Sequence, residues 1–112
     1  MAAVVDTEAQ VAHASGDVDT ALQLAGSARD FASRSGNEFG GLMAMLTEAR
    51  ALRRGGRAQE AESRFAEAAA VARESRVPAR LREVLREWAD LRAEAGDHRG
   101  AYELTSEALA VN

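Results

Sequence analysis

Three short segments of this chain, Gly16-Asp17-x-x-x-Ala21, Gly56-Arg57-x-x-x-Ala61 and Gly96-Asp97-x-x-x-Ala101, start 40 residues apart. A fixed period of this size restricts a chain to repeated supersecondary units, each stacked on its neighbour. Stacking produces a curved surface and a groove rather than a catalytic centre. The period therefore points to binding or assembly. Written in rows of 40, the chain has four columns identical in all three rows: Ala9/Ala49/Ala89, Gly16/Gly56/Gly96, Ala21/Ala61/Ala101 and Ala28/Ala68/Ala108. Alanine makes up 26 of the 112 residues, so composition alone would give roughly 0.4 triple-alanine columns where three occur.

Within each row the apolar spacing is helical. Leu42, Met45, Ala49 and Leu52 recur at steps of three and four, as do Ala61, Phe65, Ala68 and Ala72, and Leu81, Val84, Leu85, Trp88 and Leu91. No window alternates apolar and polar residues convincingly and β-branched residues are sparse, which argues against strands. Turn chemistry falls where the pattern breaks. Gly16, Gly56 and Gly96 can take positive φ, and Asp17 and Asp97 stand where an N-cap accepts free amide hydrogens. Ser35-Gly36-Asn37 and Gly40-Gly41 separate the first two rows, and Pro78 opens the third. Gly26 and Gly100 lie inside expected helices, each at a cost of about 1 kcal/mol unless it permits a close contact. The expectation is one all-α domain over residues 1–112: three antiparallel hairpins, six helices, with repeats at about 2–36, 41–77 and 79–112.

Charge narrows the partners. The net charge of −4 lacks the basic face that nucleic acid requires. Residues 1–40 hold six acids and two arginines, residues 41–80 five acids and eight arginines, and residues 81–112 seven acids and four arginines. That acidic, basic, acidic order lets each row attract its neighbours, or lets the middle arginines face an acidic ligand. Cysteine is absent, which removes disulfides and thiolate chemistry. No stretch has the length of a membrane span and the N-terminus does not read as a signal peptide, so a cytoplasmic location is expected. His13 and His98 lie far apart, and no phosphate loop, nucleophile motif or paired ligand set is present. An enzyme, a cofactor and a metal site are not expected. Trp88 reads as a core residue.

The columns resemble the tetratricopeptide repeats. That motif sets a bulky residue, then a bulky–small pair three later, and opens its second helix with alanine. The third row offers Leu85, Trp88 and Ala89, then Ala101 and Ala108; the second offers Met45, Glu48 and Ala49, then Ala61, Phe65 and Ala68. Glu8 and Glu48 stand where the motif prefers leucine. The 40-residue period resembles long repeats of kinesin light chains and of regulatory arms in bacterial transcription regulators. The resemblance implies a right-handed superhelix whose first helices line a concave, peptide-binding face. Carried over by position, that groove contains Gln10, His13, Met43, Leu46, Arg50, Arg53, Arg54, Arg86 and Asp90. Arg50, Arg53 and Arg54 lie within about one helical turn and could hold an acidic segment, or could form a solvated face paired with Glu83, Asp90 and Glu94. The function so implied is a protein- or peptide-binding regulatory segment of a larger bacterial signalling protein. The alternative is a homodimer formed through an uncapped last helix at Leu104, Leu109 and Val111.

Overall fold

The computed structural model describes residues 18–111, which form five α-helices: α1 (Val18–Arg34), α2 (Glu38–Arg54), α3 (Ala58–Glu74), α4 (Pro78–Glu94) and α5 (His98–Ala110). The expectation of six helices in a three-hairpin superhelix is thereby corrected to five. Its first helix falls on residues 1–17, with Gly16 and Asp17, and these lie outside the described residues. Among the described residues there is no strand, and none of the helices is long and apolar enough to cross a membrane.

The helices begin at residues 18, 38, 58, 78 and 98, so the structural period is 20, half of the period in the sequence columns. Every connection is three residues long and built the same way. In the turn after α2, the amide of Gly56 donates to the carbonyl of Arg53 and the amide of Arg57 to that of Leu52. This pair of bonds is the Schellman closure, which satisfies carbonyls left free at a helix end and needs a left-handed residue at its centre. That residue is Gly36, Gly56 and Gly96 in three turns and Arg76, at φ 53°, in the fourth. A side chain in that region costs about 1 kcal/mol relative to glycine. Short reversals of this kind make each helix antiparallel to the next.

Helix starts are less uniform. The carboxylate of Asp97 accepts from the Gly100 amide at 2.9 Å, and the side chain of Asn37 accepts from the Gly40 amide at 2.9 Å. Asp97 is thus the N-cap its position suggests. Gly40 and Gly41, read in the sequence as a separator, lie in the first turn of α2 instead. A Cβ on Gly40 would press on the Asn37 amide, and one on Gly100 would strike the Asp97 carboxylate. Gly26 meets nothing within 4 Å, so its propensity cost has no such compensation. Pro78 is at the first position of α4, where its missing N–H is no loss.

Consecutive helices pack against each other: α1 on α2, α2 on α3, α3 on α4, α4 on α5. The described residues extend 39 × 30 × 17 Å, a slab about two helices thick. One core runs through it, from Leu42 and Leu46 of α2, past the fully buried Phe65 of α3, to Leu85 and Trp88 of α4 and Leu104 of α5. Small residues let the helices approach: Ala49, Ala61, Ala68 and Ala72 are all inaccessible to solvent. They include three of the alanine columns that define the repeat.

Candidate functional site

Two arginine–glutamate networks join helices that are not neighbours in sequence. The first surrounds Glu48, which is only 8% exposed. Its carboxylate lies 3.5 Å from Arg29 of α1 and 3.3 Å from Arg64 of α3. Both arginines also pair with Glu67 of α3, Arg64 at 3.3 Å. Two arginines and two glutamates close a square that links α1, α2 and α3. Burial at this position is tolerated because each charge faces opposite charges on two sides.

The second network links α2 to α4. Arg50 makes a bidentate contact with Glu87, both arms at 2.7 Å, and reaches Glu83 at 2.8 Å. Arg80 approaches the same Glu83 at 2.7 Å. One turn on, Arg53 forks onto Glu94. Hydrogen bonds donated to Glu87, then attraction to it and to Glu83, raise the Arg50 guanidinium above its ordinary value against the effect of burial. The hydrogen bond donated to Glu94 raises Arg53 likewise. Burial disfavours the Glu83 carboxylate, but hydrogen bonds from Arg80 and Arg50 outweigh it and hold the group below its usual range. Glu94 is held low chiefly by its hydrogen bond from Arg53.

Beside this ladder lies an open recess of about 510 Å³ lined by Arg50, Arg53, Arg54, Glu87 and Glu94. Three residues of the expected groove therefore come together. Arg54 lines the recess, and no carboxylate among the described residues pairs with it. Of the other expected groove residues, Leu46 is buried in the core and Met43 is half-buried against it. Arg86 and Asp90 are exposed on α4. Gln10 and His13 lie outside the described residues. Of the expected self-association residues, Leu104 is buried, Val111 is half-buried and Leu109 is 76% exposed. His98 is exposed at the start of α5, and Trp88 is buried with Arg92 4.8 Å above its ring. Among the described residues, there is no group of three or more histidines and acids able to hold a metal ion.

Glu87 is the lining residue that sequence reasoning misses. A signal for it exists: it stands 37 residues after Arg50, and Glu94 stands 41 after Arg53. Opposite charges near the repeat spacing fall on equivalent helices two places apart. The same logic links Arg73 of α3 to Glu107 of α5 at 2.8 Å and Arg57 to Asp19 at 3.3 Å. The acidic, basic, acidic order of the rows is thus realised as contacts between rows. Comparison of the chain with protein-family models, with curated proteins and with solved structures finds no match.

Proposed function

We propose that this chain is a non-catalytic scaffold module that binds a protein or peptide segment on the face built by α2 and α4. The observation that supports this is the recess of about 510 Å³, bordered by three guanidinium groups and placed between equivalent helices of successive repeats. A stacked-helix surface of this kind offers an extended ligand several turns of side chains at fixed spacing. The tetratricopeptide-like columns fit the same reading, with the module as a cytoplasmic regulatory or sensory segment of a larger bacterial signalling or transcription protein. The two acids of the recess, Glu87 and Glu94, are tied to Arg50 and Arg53.

The test is to titrate the protein with a set of extended peptides of acidic, neutral and basic composition while following its backbone amide resonances. The scaffold reading expects one peptide class to shift residues of α2 and α4 together. It fails if no peptide moves them.

A second reading, self-association, is favoured by the outer stripe of α5. Tyr102 and Leu109 are 73% and 76% exposed and lie seven residues apart on one face. At the equivalent place of α3, Ala69 is completely covered. Light scattering over a hundredfold concentration range, with wild type and Leu109→Ser, separates the two readings.

A further inference from the structure

The arginines bordering the recess are not equivalent, and the difference shows where a ligand can enter. Arg50 is tied into the frame by its bidentate contact with Glu87 and its bond to Glu83. Arg53 has one carboxylate partner within contact distance, Glu94, whose side chain is 55% exposed. Glu94 is also the last residue of α4, where free carbonyls and the negative end of the helix dipole disfavour an anion. Arg53 and Arg54 close α2, where the same effect favours cations. Glu94 thus sits in a poor place for a carboxylate and is kept there by Arg53.

We propose that the recess is a carboxylate-exchange site. Glu94 is a placeholder, and an acidic peptide segment enters by displacing it from Arg53 and taking Arg53 and Arg54 together. The ligand chemistry follows from the donors. Two guanidinium groups at adjacent positions present planar forks that match carboxylates, and the recess walls have three positive charges against two negative ones. Releasing Glu94 into water leaves the walls more positive still. In the free protein Glu94 closes the site to weak or singly charged ligands, so binding demands at least two carboxylates in reach of both arginines.

This inference rests on the scaffold reading and names its ligand chemistry. The experiment titrates wild type, Glu94→Gln, Glu94→Ala and the double variant Arg53→Ala/Arg54→Ala with a fluorescein-labelled peptide of five glutamates. The same peptide with glutamines in place of glutamates is the control. Removing an exposed competing pair of about 1 kcal/mol corresponds to roughly fivefold tighter binding by the Glu94 variants. The arginine double variant loses about tenfold or more, and added salt weakens all acidic complexes. Binding only after Glu94 is replaced also supports the placeholder. Unchanged or weaker binding by both Glu94 variants overturns it, as does failure of the acidic peptide to bind any variant. If the glutamine peptide or another neutral peptide still maps to α2 and α4, the exchange site falls and the scaffold reading stands. If no peptide of any charge maps there, both fall.

Discussion

The charge square around Glu48 and the charge ladder from Arg50 to Glu94 use the same two residue types for opposite purposes. In the square each acid touches two arginines and each arginine two acids, and Glu48 itself is almost wholly buried. The ladder is similar at its Arg50 end but opens outward, so that Arg53 has a single exposed partner and Arg54 none among the described residues. Burial and closure decide what an arginine–glutamate pair can do. A closed set around a buried acid is bound up with the fold, because opening it strands the Glu48 charge. An open, solvated pair contributes little to stability and can exchange partners.

The sharpest way to break this comparison is Glu48→Ala. It leaves Arg29 and Arg64 facing each other with only Glu67 between them. Deleting one partner of a fully buried pair costs about 3–5 kcal/mol, and discounting for the partial exposure of both arginines leaves about 2–3 kcal/mol. Urea unfolding followed by circular dichroism reads this directly. A loss below about 0.5 kcal/mol would mean that the square is ornamental. Arg50→Ala should cost less, about 1 kcal/mol, since its bidentate contact is partly open to water.

Acid sharpens the comparison within the ladder. The Glu83 carboxyl is held below its ordinary range by Arg80 and Arg50, despite burial. The unfolded chain therefore binds protons first as pH falls, and the stabilisation is complete above the ordinary carboxylate value and lost as pH drops through the folded one. The difference between wild type and Arg50→Ala should accordingly be constant from about pH 7 to pH 5 and shrink below about pH 4. A difference that grows in acid would contradict the assignment of Glu83 to Arg50. The Glu94 carboxyl, held down by Arg53, follows the same sign.

Much of the frame was legible in the sequence. Helical spacing located α2 to α5, Pro78 marked the start of α4, and Asp97 the cap of α5. The true period of 20 was not, for two physical reasons. Arg76 replaces the turn glycine at one of the four turns, and equivalent buried positions of successive helices carry different residue types (Ala61/Leu81, Phe65/Leu85, Ala68/Trp88), so identical columns occur only at every second helix. Gly40 reads as a breaker but is there because the Asn37 cap leaves no room for a Cβ above it, whereas a Cβ on Gly41 would meet nothing within 4 Å. At the site, the three arginines were visible as a cluster, with Glu83 and Glu94 among the acids expected to pair with them, whereas Glu87, 37 residues after Arg50, was not; Leu46 turns inward because α2 packs with that face on the core. The motif's departure at Glu48 was visible as well. Its meaning was not, since the leucine position became a buried ion pair only with Arg29 and Arg64 on either side.

The smallest expected effect on stability belongs to the residues with the largest expected effect on binding. Arg53→Ala/Arg54→Ala removes one exposed pair and one cation that no described carboxylate holds, so its stability should stay within about 0.5 kcal/mol of wild type. Arg53 and Arg54 do favour the C-terminal end of α2, which sets a similar small cost. Differential unfolding in urea at low and moderate salt checks it, because an exposed pair should lose its contribution as salt rises. A cost approaching that of Glu48→Ala would show that the open end of the ladder serves the fold no less than the square does. The proposed binding at this recess would then lose its support. A near-neutral variant leaves these two cations as charge that the fold does not consume, on the recess between α2 and α4 where the proposed acidic segment would meet them.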